Sequence, residues 1–365
     1  KLETRNSKLE TRNSKLETRN SKLETRNSKL ETRNSKLGDF MSWQSTLSWK
    51  NAQKRAKILQ QIRQFFAELD VIEVETPALS QGTVTDIHLD ALSCRYNFLA
   101  DSSDKESVEF YLQTSPEFHM KRLLASGYGS IFQIAKAFRH ESFGRHHNPE
   151  FTLLEWYRVG FDHFELMDEM AELLKLVLNC TQPTIVTYQD VFIEHVALDP
   201  LKASREDCIK LISSQNKLSE WLTQEYSNDI LLQFIFSELI EPNIGNNAPC
   251  FVYNFPKSQA SLAKLCPDDN RVAQRFECYY HGLELANGFN ELTDHKKQTK
   301  RFQQDNDQRS NLSLPVKPID QNFISALSNG IPQCSGVALG IDRLIMLALK
   351  AENITQVMSF SVERA

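Results

Sequence analysis

No two cysteines of this 365-residue chain stand at CxxC spacing: the seven, at positions 94, 180, 208, 250, 266, 278 and 334, are scattered and odd in number. That argues against a disulfide framework or a thiolate metal knuckle and predicts reduced, buried thiols in a soluble cytoplasmic protein. There is no charged-then-apolar leader and no apolar run of membrane-spanning length, so neither export nor insertion is expected. A basic excess is missing too. The chain carries 42 Lys and Arg against 47 Asp and Glu; residues 1–40 hold 11 and 6 of these, which leaves the remaining body at net −10. Proteins that grip a large nucleic acid usually show a basic surface, although net charge says nothing about where the charges lie.

Residues 1–35 are five perfect copies of Lys-Leu-Glu-Thr-Arg-Asn-Ser. One apolar position per heptad falls short of the two that a coiled-coil seam needs. Repetition without drift marks residues 1–40 as an artificial tail, and function is expected in residues 41–365, a length that suits one large catalytic domain with a sizeable core.

Within that body, Ala56, Ile58, Leu59, Ile62, Phe65, Phe66 and Leu69 recur at helical spacing and predict an amphipathic helix over 52–69, followed by a short strand at Val71–Glu75 and then Pro77. The helix reads equally well as packed on its own core or as part of a subunit contact. A second helix is predicted over Phe164–Leu178 and a polar helical insertion over Asp190–Asp229. Strand-like runs return at Phe251–Phe255, Arg275–Tyr280 and Leu283–Ala286. The predicted fold class is α+β, an antiparallel sheet flanked by helices. Long loops are expected at Pro242–Pro249 and Ser310–Pro318, the second a candidate mobile flap.

The stretch Phe132–Tyr157, FQIAKAFRHESFGRHHNPEFTLLEWY, reads as a long hairpin with a turn-rich tip at Gly144–Pro149. Arg139 and Glu141 stand two apart on its first strand, so that a guanidinium and a carboxylate address one ligand together. Alone, the segment also reads as an ordinary surface hairpin. The run SGVALGIDRLIMLAL places Gly336, Gly340 and Arg343 at a strand-to-helix junction, where small residues admit a ligand to the backbone and an Arg can lie against phosphates or a base plane. Alone, that run is equally a packed corner. His281-Gly282 predicts a two-residue turn pairing Tyr280 with Leu283 and Glu277 with Ala286, which leaves Glu277 and Glu284 as diagonal neighbours suited to Mg²⁺. A bulge at Asn287-Gly288 would turn Glu291 to the same cleft. The competing reading is a solvated acidic edge. Adjacent His146 and His147 suggest loop contacts to phosphate rather than a metal site.

Together, the Val71–Pro77 segment after its helix, the Arg-x-Glu hairpin and the Gly-x-x-x-Gly-x-Asp-Arg run resemble, in order, motifs 1, 2 and 3 of the class II aminoacyl-tRNA synthetases. HNPEFT, TSPEFHMKRL and ELANGFNEL resemble lysyl-tRNA synthetases, while SFSVERA and Thr83–Leu89 (TVTDIHL) resemble a stand-alone group of that family whose acceptor is elongation factor P. The resemblance covers the chain from Ser48 to Ala365 and implies ATP and Mg²⁺. It gives Arg139 the α-phosphate, Glu141 the adenine amine, Asn148 a contact at the loop base, Phe151 and Arg343 the two adenine faces, and Gly340 close approach. Glu284 and Leu285 would contact ATP, and Glu277 with Glu284 would hold the metal. Arg139 and Arg343 are the catalytic candidates.

Ser115, Glu117, Glu155, Tyr157, Asn287, Phe289, Glu291 and Ala338 would line a substrate pocket for a diamino acid. Anions at both ammonium groups suit such a ligand, whereas any one of these acids alone is more often a surface group. Lysyl-tRNA synthetases have Gly where Ala338 stands, and in the resembled group Ala goes with preference for (R)-β-lysine over α-lysine. A methyl limits that discrimination to about 1–3 kcal/mol, so α-lysine should remain a weaker substrate. Motif 1 implies a homodimer. The resemblance leaves two alternatives: a truncated lysyl-tRNA synthetase charging tRNA, disfavoured by the absence of an anticodon-binding barrel and by the acidic body, and a non-catalytic paralogue, disfavoured because Arg139, Glu141, Glu284 and Arg343 are all present.

Overall fold

The computed structural model describes residues 43–97 and 107–365; the tail expected at residues 1–40 lies outside them. Helix α1, Trp49–Glu68, starts where the Ser48 side chain accepts from Asn51 N, and it buries Ile58, Ile62 and Phe66. The strand after it, β1 (Ile72–Glu73), is shorter than expected and pairs in parallel with β5 (Ile131–Phe138). Strand β6 (Glu150–Val159) closes the predicted hairpin on β5, in register from Ile131 opposite Tyr157 to Phe138 opposite Glu150.

With β7 (Thr184–Thr187), β8 (Cys250–Pro256), β9 (Val272–Tyr280), β10 (Leu283–Asn290) and β11 (Cys334–Gly340), these strands form an eight-stranded sheet in the order β1-β5-β6-β11-β10-β9-β8-β7. Its interior pairs are antiparallel, and its two edge pairs, β1 with β5 and β7 with β8, are parallel. The expected α+β class holds. A separate small sheet joins β2 (Leu79–Ser80), β4 (Ser107–Leu112) and β3 (Ser93–Asn97).

The period of two sorts the large sheet into a core face and a cleft face. Leu154, Trp156, Val337 and Leu339 point to α1, α3 (His163–Leu178) and α10 (Ile341–Leu349), where they share one core with Phe66, Leu166, Met170, Leu344 and Ile345. The alternate residues Glu155, Tyr157, Gly336 and Ala338 are left to the other face, so sheet parity alone separates core from chemistry. That face is walled by α2 (Glu117–Ala125), α8 (His295–Asn311) and α9 (Gln321–Asn329) through Phe118, Phe302 and Phe323; the rings of Phe118 and Phe323 stack at 4.5 Å.

The predicted insertion is four helices, α4 (Tyr188–Val196), α5 (Arg205–Ser214), α6 (Glu220–Gln224) and α7 (Asn228–Ile235), with a core of its own around Phe192, Ile212 and Leu231 that reaches the sheet at Val252 and Tyr279. The flap expected at 310–318 is strapped down instead. Helix α8 runs to Asn311, and its Asn306 and Arg309 side chains hold the following segment, with Asn306 Nδ2 to Lys317 O at 3.0 Å and Arg309 Nε to Pro315 O at 2.7 Å.

Candidate active site

The hairpin departs from expectation at its tip. Strand β5 ends at Phe138, so Arg139 and Glu141 do not share a strand face. The Arg139 backbone keeps one ladder bond, donating to Pro149 O at 2.9 Å, and Glu141 N then turns back onto Arg139 O at 2.9 Å. The tight turn, not the pleat, brings the Glu141 carboxylate near enough to favour the Arg139 charge. Arg139 lies over the Phe151 ring at 5.0 Å, and its Nε is buried without a partner. Burial and Arg343 work against its charge, whereas the carboxylates of Glu141, Glu284 and Glu155 support it. Asn148 at the loop base is buried and bonded to the protein at both ends of its amide, giving a bond to Glu150 O at 2.5 Å and taking one from Val362 N at 3.0 Å. Its visible role is to brace the loop.

The junction after β11 forms as expected. Asp342 accepts from Arg55 Nη1 and from Thr152 N, each at 2.7 Å, and so pins the start of α10 to α1 and β6. Arg343 beside it crosses the cleft, with Nη1 donating to Glu284 O at 2.8 Å and Nη2 lying 2.8 Å from His147 Nε2. His146 and His147 lie in the hairpin tip, and burial and the Arg343 charge lower the pKa of His147. A Cβ on Gly340 would stand 3.8 Å from Leu285 O, an ordinary contact, so the packing at this corner does not itself demand glycine.

The β9–β10 hairpin carries the acids. His281 and Gly282 both adopt positive φ, 51° and 70°, forming the two-residue turn that sets Leu283 opposite Tyr280. The pairing beyond it differs from expectation. The register shifts between Glu284 and Ala286, which puts the bulge at Leu285 and sets Glu277 opposite Asn287 instead of Ala286. The extra residue still resets parity. Glu284 opposite Tyr279 and Asn287 opposite Glu277 share a face, and Glu291, just past the end of β10, follows on the cleft side. Glu277 is engaged by Arg275, by Tyr279 Oη and by Asn287 Nδ2, the last at 3.1 Å. Burial first, and the Glu277 charge next, push the Glu284 carboxyl up to about 7.

Two close carboxylates of this kind suit a hard dication. No cluster of three or more candidate protein ligands occurs among the described residues, so the remaining oxygens for such an ion would come from phosphate and water, the usual arrangement for Mg²⁺.

Glu117, Glu155, Tyr157 and Glu291 meet at the other end of the cleft. Tyr157 Oη donates to Glu155 Oε1 at 2.6 Å, while Glu155 Oε2 is buried without a partner. Burial, with neighbouring carboxylates, raises Glu155 and Glu291 each to about 8. Ser115 lies just before α2, and Phe289 packs against the apolar cluster that holds Phe302 and Phe323. Ala338 stands opposite Glu155 on one side and Asn287 on the other. Gly336 is required here: a Cβ would fall 2.3 Å from the Tyr157 ring and 2.7 Å from Glu291 Oε1.

Sequence reasoning missed Lys121, whose Nζ lies 2.6 Å from both Glu117 Oε1 and Glu291 Oε2. Its i,i+4 spacing from Glu117 was the available signal. It also missed Arg275 and Tyr279, which the strand period places on either side of Glu277.

A mixed, mainly antiparallel sheet with an Arg-bearing hairpin facing an Arg at a strand-to-helix junction defines a class II synthetase-type catalytic domain. The chain belongs to that family: the group described as tRNA synthetases class II (D, K and N) matches residues 32–364. Among its relatives, the chain is similar to "Elongation factor P--(R)-beta-lysine ligase" of Salmonella typhi, 49% identical over 329 residues, which are 90% of this chain and 100% of the relative. The proteins of that name from Salmonella dublin and Salmonella typhimurium are 50% and 49% identical over the same spans.

Proposed function

We propose that the protein activates (R)-β-lysine with ATP as its adenylate and transfers it to a lysine side chain of elongation factor P. The observation that carries this reading is the juxtaposition, in one cleft, of an anionic pocket (Glu117, Glu155, Glu291) with Arg139 and Arg343. The names of the relatives support the same acceptor. The substrate carboxylate attacks the α-phosphorus, the bond to the bridging oxygen breaks, and pyrophosphate leaves; the neutral acceptor amine then attacks the acyl carbon, AMP departs with the electron pair, and the nitrogen gives its extra proton to solvent. No protein nucleophile is needed. Arg139 counters the charge that builds on the α-phosphate, Arg343 and Phe151 flank the base, and Glu141 meets its amine. Asn148 braces the hairpin beneath the nucleotide, while Leu285 and Gly340 let it approach the backbone. Glu277 and Glu284 would hold Mg²⁺, which supplies charge neutralisation on the phosphates.

In the amine pocket Glu117, Glu155 and Glu291 receive the ammonium groups, with Ser115, Tyr157, Asn287, Phe289 and Ala338 shaping its walls. Residues 41–365 act as one catalytic domain, and two chains pair through α1 and the Val71–Pro77 segment, where Trp49 and Ile72 are exposed. No helix among the described residues is long and apolar enough to cross a membrane; a site in the cytoplasm accords with the acceptor. The purified protein should support ATP–pyrophosphate exchange with (R)-β-lysine and, less well, α-lysine. Exchange with neither isomer would refute the reading.

A further inference from the structure

The amine pocket contains a cation that belongs to the protein. Lys121 sits on α2 with its side chain 2% exposed, in ion contact at 2.6 Å with both Glu117 and Glu291. The rings of Tyr157 and Phe323 stand 5.9 Å from its Nζ. Glu155 makes no direct contact with Lys121 and feels its charge only at a distance; its Oε1 takes the Tyr157 hydroxyl and its buried Oε2 takes nothing. The other groups that face these acids are Lys264 and Cys334 on the Glu291 side and Arg139 on the Glu155 side. Three ionised carboxylates without an internal cation would repel one another and take up protons.

We propose that Lys121 is a resident counter-ion that holds Glu117 and Glu291 in place, so that once a bound ligand has ionised all three carboxylates the pocket carries −2, the complement of a substrate bearing two ammonium groups. It is a positioning residue: it acts through the carboxylates and leaves Glu155 Oε2 open for the ligand. The inference rests on the proposed diamino-acid substrate.

The charge count gives a readout that a merely structural lysine would not move. At neutral pH the empty wild-type pocket already holds protons on Glu155 and Glu291; without Lys121 it keeps one more, and an incoming diamine must expel that one as well. Calorimetric titration of the full chain with (R)-β-lysine, in two buffers of different ionisation enthalpy at neutral pH, counts the protons released. Lys121→Met should release about one proton more than the wild type. In exchange assays its KM for the diamino acid should rise about tenfold or more while its KM for ATP stays unchanged, as loss of a charge-assisted contact implies.

Lys121→Ala opens a space that added propylamine can fill, and propylamine should lower the KM again. Unchanged proton release and KM in Lys121→Met, or no response to propylamine in folded Lys121→Ala, would overturn the assignment. So would a protein that folds only as Lys121→Arg, which would make Lys121 a structural ion. A wild type that binds no diamino acid sinks the functional reading itself, and this one with it.

Discussion

Arg139 owes its position to a turn, and this makes its chemistry testable apart from its packing. The side chain lies on Phe151 and has an unpartnered Nε, so it is poised toward the cleft while its backbone secures the hairpin. Arg139→Ala should leave the fold intact and slow ATP–pyrophosphate exchange by a barrier increase of about 3 kcal/mol, the scale of a lost transition-state donor. Near-normal exchange would remove Arg139 from the mechanism. Ala338→Gly should shift the ratio of kcat/KM for the two lysine isomers toward α-lysine, by about 1–3 kcal/mol at most; an unchanged ratio would place the selection elsewhere in the pocket.

The buried acids predict a pH dependence of opposite sign for stability and for rate. Folded Glu155 and Glu291 keep protons up to about 8, whereas the ordinary carboxyl releases its proton near 4.5. Between those values the folded state binds more protons, so the stability of the empty protein falls as pH rises. Thermal unfolding should show that slope, and Glu155→Gln should flatten it. Exchange activity should climb through about 7 as Glu284 ionises to serve the phosphate end; a flat rate across that range would exclude it. Individual acids were legible in the sequence because motif residues name them. Lys121 was not, because its meaning depends on Glu291, 170 positions away in the chain.

At the scale of elements, the hydrophobic patterns of α1, α3 and the β5–β6 hairpin were readable because each carries its own period. Boundaries and irregularities were not. The bulge at Leu285 is fixed by the pairing of β10 with β9 and β11 together, since Gly288 must lie against Phe276, 2.4 Å from where a Cβ would be. No local residue type announces that choice between Leu285 and Asn287-Gly288. The segment after α8 looked like a flap because it is polar and Pro-bounded, yet Arg309, fully buried, ties it to the 86–90 segment through Asp86 O at 2.7 Å and Asp90 at 2.8 Å. Asp90 is 43% exposed, so the charge attraction itself is screened. The larger loss in Arg309→Met is the donor to two carbonyls, about 1–3 kcal/mol. That variant should show a lower unfolding temperature and new proteolytic cleavage between residues 312 and 320; resistance equal to the wild type would mean that the strap is redundant.

The family's members are named for tRNA, so the acceptor is read from the whole molecule. Two observations point to a protein. Residues beyond the first 40 carry a net charge of −10, and the relatives that match 90% of the chain are named for elongation factor P. Both converge on one behaviour. Phosphate contacts make RNA binding fall steeply with salt, by about 10³–10⁵ between 50 and 200 mM for a protein with many such contacts. A folded protein docks by shape and a few complementary charges, and needs only to present one lysine to the adenylate. Labelled (R)-β-lysine should therefore pass to elongation factor P while bulk tRNA stays uncharged, and transfer should survive that rise in salt within severalfold. Label on tRNA and none on the factor would make the chain a tRNA-charging enzyme, and a transfer rate that collapses with salt would argue for nucleic acid at the docking surface.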